Sequence, residues 1–96
     1  MEIDIQQIKE EAVPILRSHD VVESALFGSV AKGKATSESD VDFLVRFTGS
    51  KTLFDLIDLK DKLEQRLARR VDIVTYDSLN ARIRDSVLRY AIPLFS

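Results

Sequence analysis

Cysteine, tryptophan and histidine are nearly missing from this 96-residue sequence, which has no Cys, no Trp and a single His, His19. Without cysteine the chain can form neither a disulfide nor a thiolate metal site, and one histidine excludes a multi-histidine metal centre within the chain. No apolar run approaches the roughly 18 residues that suggest a membrane-spanning helix. The N-terminal stretch MEIDIQQIKEE is acidic and amphipathic, whereas a signal peptide begins with a basic segment. We therefore expect a cytoplasmic protein without a membrane partner.

An excess of charge of one sign is also missing. The 14 Lys and Arg residues nearly balance the 16 Asp and Glu residues, for a net charge of −2. A surface that wraps nucleic acid usually needs a strong basic excess, so we do not expect nucleic acid as the main partner. The chain is long enough for one domain and too short for two, and residues 1–96 are expected to form a single domain.

The periodicity of the apolar residues divides the chain into helices and strands. The predicted helices cover 4–18, 52–68 and 79–90, the predicted strands cover 21–27, 41–47 and 71–76, and the tail AIPLF adds a short extended segment. Pro14 is expected to kink the first helix or divide it in two. The stretch SVAKG is compatible with one or two further helical turns. The expected fold is α/β (α+β), a small mixed sheet of three to four strands packed with about four helices.

The order of these elements also predicts the connectivity of the sheet. The strand–helix–strand unit over 41–76 predicts a parallel pair joined by a right-handed crossover. The short loop at 28–39 makes the strands on either side of it antiparallel neighbours. Helical spacing predicts two inward apolar stripes, which comprise Leu53, Leu56, Ile57, Leu63 and Leu67 on one helix and Ile83, Val87 and Leu88 on the other.

The first chemical feature is Gly28-Ser29, at the end of the first strand. Glycine lets a backbone approach a ligand closely, and the amides that open the following helical turn can hold phosphate oxygens. Lys32 and Lys34 would add positive charge nearby. Taken alone, an ordinary strand-to-helix turn explains these residues better, because small polar residues are common there.

The second feature is Asp40-Val41-Asp42. Alternation along a strand puts both carboxylates on one sheet face, together with Leu44 and Arg46. Two such carboxylates can converge on Mg²⁺, which prefers oxygen ligands and completes its shell with substrate phosphates. The alternative is a turn-capping Asp40 followed by an exposed Asp42. The apolar neighbours of Asp42 count against that alternative, because Asp is depleted in strands.

The third feature is Asp72, another acid inside an apolar strand. If strands 41–47 and 71–76 are neighbours, Asp72 lies beside Asp42. Three converging carboxylates would repel one another strongly without a cation. The alternative is a lone edge-strand acid or an ion-pair partner of Arg70. The occurrence of three such acids after a phosphate-type loop favours a metal site.

Together these features resemble the signature of the nucleotidyltransferase superfamily that includes DNA polymerase beta. That signature has an apolar residue before Gly-Ser, then D-x-D after about ten residues, then a third acid on a later strand. Here the matching segments are Phe27-Gly28-Ser29, Asp40-Val41-Asp42-Phe43 and Val71-Asp72-Ile73. The length is closest to the minimal nucleotidyltransferases (MNT), which in many genomes are paired with a helical HEPN protein as toxin–antitoxin modules.

The resemblance implies a role for each matching residue. Asp40 and Asp42 would bind two divalent ions (Mg²⁺, with Mn²⁺ as an alternative), and Asp72 would hold one ion and act as base on the attacking hydroxyl. Gly28 and Ser29 would cradle the triphosphate, with Lys32 contributing charge. The implied reaction is attack of an acceptor hydroxyl on the α-phosphorus of a nucleoside triphosphate, with ATP expected as the substrate, and release of pyrophosphate.

The resemblance leaves three functions open. The first is adenylyl transfer to a hydroxyl of a HEPN-type partner protein, as an antitoxin. The second is a binding module that neutralises such a partner by contact, with little or no catalysis. The third is nucleotidyl transfer to a small molecule. An active site in so short a chain also predicts assembly with a partner or a homodimer.

Several further residues have two interpretations each. His19 is expected at a helix end rather than in catalysis. Arg46 would either pair with a phosphate or be an edge-strand charge, and Tyr76 would either stack on a base or pack in the core. The arginines of the last helix would form either a solvated face or a docking surface for an acidic partner; these are Arg82, Arg84 and Arg89.

Overall fold

A computed structural model of the protein describes residues 4–31, 33 and 40–96, with Ser29 described by its backbone alone. The helices are α1 (Ile5–Ser18), α2 (Gly28–Ala31), α3 (Leu53–Leu67) and α4 (Ala81–Tyr90). The strands are β1 (Val21–Phe27), β2 (Val41–Phe47), β3 (Val71–Thr75) and β4 (Ile92–Phe95), and a 3-10 turn at Tyr76–Ser78 follows β3. The expected α+β class is confirmed by these elements.

The four strands form one mixed sheet in the order β3-β2-β1-β4. Strands β2 and β3 are parallel, and β1 is antiparallel to both β2 and β4, so the predicted pairings are confirmed. The tail forms β4 at the edge of the sheet. Proline is tolerated there because an edge strand makes ladder hydrogen bonds on one side only. The sheet therefore places the start of β2 beside the start of β3 and the end of β1.

Helix α1 is continuous from Ile5 to Ser18, so the expectation that Pro14 divides it is wrong. The side chain of Asp4 caps its first turn by accepting the N–H groups of Gln6 and Gln7. Burial of Ile8, Ala12 and Leu16 holds the segments before and after Pro14 against the same core, which outweighs the hydrogen bond that proline removes. His19 forms the C-cap of α1, as predicted. Across the described ranges, no helix is both long and apolar enough to span a membrane.

The main core lies between one face of the sheet and helices α1 and α3. On the sheet side it contains Leu26 from β1, Val41, Phe43 and Val45 from β2, and Val71 from β3. On the helix side it contains Ile8, Ala12 and Leu16 from α1 and Leu59 and Leu63 from α3. Because side chains alternate along a strand, Asp42 and Asp72 lie on the opposite face.

That opposite face carries a smaller apolar cluster. Ala25, Leu44 and Leu79 form its buried centre, and Val74, Tyr76 and Val87 pack against it. Leu79 is only 6% exposed, and it reaches the cluster from the segment between the 3-10 turn and α4. The second face is therefore covered over β1 and part of β2, whereas Asp72 at the start of β3 is exposed.

The predicted inward stripes of α3 and α4 need correction. Leu63 is buried and Leu67 packs against the core, as predicted. Leu53 is 69% exposed and Ile57 is 46% exposed, because α3 meets the core through Leu63 and through Leu59, which was not predicted. At about 100° per residue, Ile57 lies roughly 120° around the helix from Leu63, so the two cannot share one buried face. On α4 only Val87 packs inward as predicted. Ile83 is 49% exposed and Leu88 is 45% exposed.

Candidate active site

Two carboxylates lie side by side where the parallel strands β2 and β3 begin. Asp42 and Asp72 are partners in the parallel register, and Phe27, the last residue of β1, is the partner of Asp42 on its other side. Each acid stands between two residues of the main core, so its own side chain is directed to the opposite face of the sheet. The structure thus brings together the two acids that the sequence predicted to be neighbours.

The surroundings of Asp42 disfavour its charged form. Partial burial, then the charge of Asp72, then that of Asp40 raise the pKa of Asp42 from 3.8 to about 6. Burial raises the pKa because the carboxylate loses hydration, and the neighbouring carboxylates raise it because like charges repel. A cation between these groups would relieve both effects.

Gly28 lies against the Asp42 carboxylate at the junction of β1 and α2. Its φ is +71°, a conformation that residues with a side chain rarely adopt. A Cβ atom on this residue would overlap with Asp42 Oδ2 and would lie only 3.1 Å from Asp42 Cγ. A glycine is therefore needed here for two reasons, and the backbone at the start of α2 is held directly beside the acids.

Asp40 is engaged differently from the other two acids. Its Oδ1 lies 3.2 Å from Nε of Arg70, at the start of the neighbouring strand. The N–H of Val41 donates to the carbonyl oxygen of Arg70 at 2.9 Å, which ties the two strand ends together. Within residues 4–31, 33 and 40–96, no three His, Cys, Asp or Glu side chains form a group that could hold a metal ion in the arrangement seen.

The Asp40–Arg70 ion pair is the contact that the sequence interpretation missed. The alternative partner considered for Arg70 was Asp72, which instead accepts the N–H of Ile73 through Oδ1 at 3.1 Å. The parallel register contains the missing signal, because Val41 and Val71 are partners and the residues before them therefore meet. Opposite charges at those two positions predict the pair once the register is known.

Lys32 and the side chain of Ser29 lie outside the described residues, so their predicted phosphate contacts remain predictions. Arg46 lies on β2, an inner strand, so the alternative of an edge-strand charge is wrong. Its Nε donates to Glu23 Oε1 at 2.8 Å, and its guanidinium lies 4.9 Å from the centre of the Tyr76 ring. Tyr76 itself packs at the margin of the smaller apolar cluster, as one of its two interpretations predicted.

The chemistry of the acids fits a hard divalent cation. The donors that Asp40, Asp42 and Asp72 offer are carboxylate oxygens, which Mg²⁺ and Mn²⁺ prefer, and Asp42 and Asp72 lie next to each other. Burial and then the charges of Asp72 and Asp40 raise the pKa of Asp42, and a bound cation would favour its charged form. Arg70 supplies one positive group at the margin of the site, through Asp40.

Two curated relatives are similar over nearly the whole chain. The candidate protein adenylyltransferase MJ0435 of Methanocaldococcus jannaschii is 39% identical over 94% of this chain and 97% of its own length. The protein adenylyltransferase MntA of Thermococcus cleftensis is 38% identical over 86% of this chain and 92% of its own length.

Solved structures show the same fold. A candidate minimal nucleotidyltransferase is 43% identical, with a TM-score of 0.80 over 93% of this chain and 91% of that one. The MNT antitoxin in complex with the tri-AMPylated HEPN toxin of Shewanella oneidensis is 22% identical, with a TM-score of 0.75 over 95% of this chain and 71% of that one. The nucleotidyltransferase domain family model matches residues 7–94. This chain therefore belongs to the nucleotidyltransferase domain family, and its fold is that of the minimal nucleotidyltransferases.

Proposed function

We propose that this protein transfers AMP from ATP to a hydroxyl group of a partner protein, and that it acts as a cytoplasmic antitoxin towards a HEPN-type partner. The observation that carries the proposal is the Asp42–Asp72 pair, which lies beside Gly28 at one end of the sheet. Two adjacent carboxylates that can bind divalent ions, beside a backbone that can approach phosphates closely, suit nucleotidyl transfer. The names of the two curated relatives support AMP as the group transferred and protein as the acceptor.

In this proposal the acids bind the divalent ions and the backbone binds the phosphates. Asp40, Asp42 and Asp72 would hold Mg²⁺, with Mn²⁺ as an alternative, and the bound ions would offset the negative charge of the reacting phosphates. Gly28 and Ser29 would hold the triphosphate through their backbone, which approaches the acids closely because Gly28 has no side chain. Lys32 would add positive charge to the triphosphate.

Asp72 would accept the proton of the attacking hydroxyl. Its Oδ1 already accepts the N–H of Ile73, which orients the carboxylate and leaves Oδ2 for the proton. The hydroxyl oxygen then forms a bond to the α-phosphorus as the bond to the bridging oxygen breaks, and pyrophosphate leaves. Positioning and charge neutralisation account for most of the rate in such reactions, so small displacements of Asp42 or Asp72 would be costly.

The proposal is tested by incubating the protein with ATP, Mg²⁺ and a purified HEPN-type protein encoded in the same genome, followed by intact-mass analysis of both chains. A mass increase of the HEPN chain by one or more adenylyl groups is expected. It must be lost in Asp42→Asn and kept in Asp61→Asn, a matched change at an exposed acid on α3. A HEPN chain that stays unmodified while binding the wild-type protein would contradict the proposal.

One observation favours the second candidate function, neutralisation by contact alone. The first turns of α3 expose three large apolar side chains, with Phe54 82% exposed, Leu53 69% exposed and Ile57 46% exposed. Such a cluster is typical of protein–protein contact. The two functions differ in one result: if contact is sufficient, Asp42→Asn will protect cells from the partner as well as the wild-type protein does.

A further inference from the structure

The carboxylate of Glu64 reaches from helix α3 to the first amide of strand β3. Its Oε2 accepts the N–H of Val71 at 2.9 Å, in a partly buried contact. Glu64 lies in the last turn of α3, where its backbone carbonyl oxygen accepts the N–H of Ala68 at 2.9 Å. The side chain and the backbone of Glu64 therefore hold the two ends of the short turn that connects α3 to β3.

The conformation of that turn has a cost. The turn comprises residues 68–70, and Ala68 has a φ of +55°, which residues with a side chain rarely adopt. Glycine is the usual residue at such a helix end, because it reaches this conformation without a steric penalty. Contacts on both sides of Ala68 have to offset the penalty, and the hydrogen bond from Val71 to Glu64 is one of them.

The same hydrogen bond fixes the backbone next to Asp72. Strand β3 is the outermost strand on its side of the described sheet, and an edge strand presents N–H groups that do not enter the ladder. Two of these donors have carboxylate acceptors, since Val71 donates to Glu64 and Ile73 donates to Oδ1 of Asp72 at 3.1 Å. Asp72 thus lies between two held amides, and removal of Glu64 releases the one that precedes it.

Val71 also lies between two residues that meet the acids of β2. On one side of it, Nε of Arg70 lies 3.2 Å from Oδ1 of Asp40. On the other side, Asp72 is the partner of Asp42 in the parallel register. One hydrogen bond at Val71 therefore holds the backbone from which both side chains project.

We propose that Glu64 is a positioning residue for the candidate metal site, and that it holds the start of β3 so that the Asp72 carboxylate stays beside that of Asp42. This inference rests on the proposed function, because it assumes that these two acids bind a divalent ion. Glu64 acts through the Val71 amide and touches neither the ion nor the nucleotide. A site whose ligands are already held in place loses less conformational entropy when the ion binds.

The test measures Mn²⁺ binding without nucleotide, by electron paramagnetic resonance, in the wild-type protein, Glu64→Ala and Glu64→Gln. Both variants remove the same negative charge, but glutamine keeps a carbonyl oxygen that can accept the Val71 N–H. Glu64→Ala is expected to bind Mn²⁺ about three- to tenfold more weakly, which is less than the roughly 10- to 100-fold typical of groups bonded directly to a metal ligand. Glu64→Gln is expected to stay within about twofold of the wild-type protein.

Two further readouts separate positioning from a general loss of structure. Hydrogen exchange of the Val71 amide in the metal-free protein, followed by NMR, is expected to be faster in Glu64→Ala and unchanged in Glu64→Gln. At saturating Mn²⁺, kcat for adenylyl transfer is expected to fall in Glu64→Ala with an unchanged KM for the acceptor protein, because Asp72 is the residue displaced. Glutamine is expected to restore kcat as it restores Mn²⁺ affinity.

Asp61→Ala is the matched control variant, because Asp61 is an exposed acid one turn earlier on the same helix. It removes a negative charge at a similar distance along α3 without touching the start of β3. Its Mn²⁺ affinity and its kcat are expected to equal those of the wild-type protein.

Three outcomes overturn the inference. The first is unchanged Mn²⁺ affinity in Glu64→Ala, which assigns Glu64 to the fold alone whether or not the variant is less stable. The second is equal weakening in Glu64→Ala and Glu64→Gln, which assigns the effect to the lost charge. The third is equal weakening in Asp61→Ala, which assigns it to the acids of α3 in general. AMP transfer by the wild-type protein leaves the proposed function intact in all three cases, whereas a wild-type protein that binds no Mn²⁺ contradicts the proposed function itself.

Discussion

Asp42 and Asp72 lie directly opposite each other on two adjacent parallel strands, with the Gly28 backbone against the Asp42 carboxylate. Each strand is fixed by its apolar neighbours in the main core, so the two carboxylates cannot move apart without disturbing that core. Their mutual repulsion is therefore built into the fold. The protein holds two negative charges together in a position where they weaken its own stability and suit a cation.

The first prediction concerns the effect of Asp42 on stability as the pH changes. The folded-state pKa of Asp42 is about 6, above the 3.8 of an ordinary aspartate. Between about pH 4 and pH 6 the unfolded chain ionises this group before the folded chain does, so Asp42 lowers stability progressively as the pH rises, and by a constant amount above pH 6. Asp42→Asn is therefore expected to raise the free energy of unfolding at pH 8 by about 1 kcal/mol, a figure reduced for solvent screening.

The measurement is urea denaturation of wild type and Asp42→Asn, in buffer containing a chelator, at pH 3.5 and pH 8. The two proteins are expected to differ at pH 8 and to agree closely at pH 3.5, where the aspartate is protonated in the folded state and mostly protonated in the unfolded state. Addition of Mg²⁺ at pH 8 is expected to stabilise the wild-type protein more than the variant. Equal stability at pH 8 without metal would show that the acids do not repel each other as described.

The second prediction separates the two reasons why residue 28 must be a glycine, which are its positive φ and the close approach of Asp42. Gly28 has a φ of +71° and Gly49 a φ of +76°, but only Gly28 has atoms within 4 Å of the place that a Cβ would take. Gly49→Ala is thus expected to show the conformational cost alone, about 1 kcal/mol, and Gly28→Ala that cost plus a clash with Asp42, about 2–3 kcal/mol in total. Thermal or chemical denaturation of the two variants gives the difference.

A double variant tests whether the clash with Asp42 causes the additional loss of stability in Gly28→Ala. In Gly28→Ala combined with Asp42→Ala, the carboxylate that the new methyl group would meet is gone, so the excess cost over Gly49→Ala is expected to disappear. If the double variant stays as unstable as the sum of the two single changes, the close contact between Gly28 and Asp42 does not exist.

The elements of the sheet could be predicted from the sequence because alternation along 41–47 and 71–76 fixes which residues are buried. Val41 and Phe43 lie in the main core, and Asp42 lies on the opposite face, as a period of two residues requires. The pairing of Asp42 with Asp72 followed from the strand–helix–strand order. These inferences depend on the alternation within each strand and on the order of the elements, and both can be read from the sequence.

The helix faces and the partner of Asp40 were less accessible to the same reasoning. Leu53 and Ile57 follow a helical spacing, yet α3 packs against the core around Leu59, Leu63 and Leu67. The Asp40–Arg70 ion pair depends on the register between β2 and β3, which no pattern within either strand specifies. The buried face of α3 and the partner of Asp40 both depend on how segments distant in the sequence pack together, which a local pattern does not specify.

The third prediction concerns Arg70, which pairs with Asp40 at the margin of the site. The pair is exposed, so Arg70→Ala is expected to change the free energy of unfolding by less than about 1 kcal/mol. The removed guanidinium competes with a metal ion for the Asp40 carboxylate. Binding of Mn²⁺ without nucleotide, measured by electron paramagnetic resonance, is therefore expected to become about two- to fivefold tighter.

The control for Arg70 is Arg82→Ala, which removes the same charge from the first turn of α4. It is expected to leave Mn²⁺ binding close to the wild-type value. A tighter Mn²⁺ complex in Arg82→Ala as well would show that net charge, and not the contact with Asp40, governs metal affinity. Unchanged Mn²⁺ binding in Arg70→Ala would show that Arg70 and the metal ion do not compete for the Asp40 carboxylate.

The most direct measurement of the central claim uses ATP labelled either at the α-phosphorus or at the γ-phosphorus, with Mg²⁺ and the HEPN-type acceptor protein. If Asp42 and Asp72 support adenylyl transfer, label from the α position becomes attached to the acceptor, label from the γ position leaves as pyrophosphate, and Asp42→Asn and Asp72→Asn each lower the rate by at least about 100-fold. Transfer of the γ label, or α-label transfer that survives both substitutions, would contradict the account.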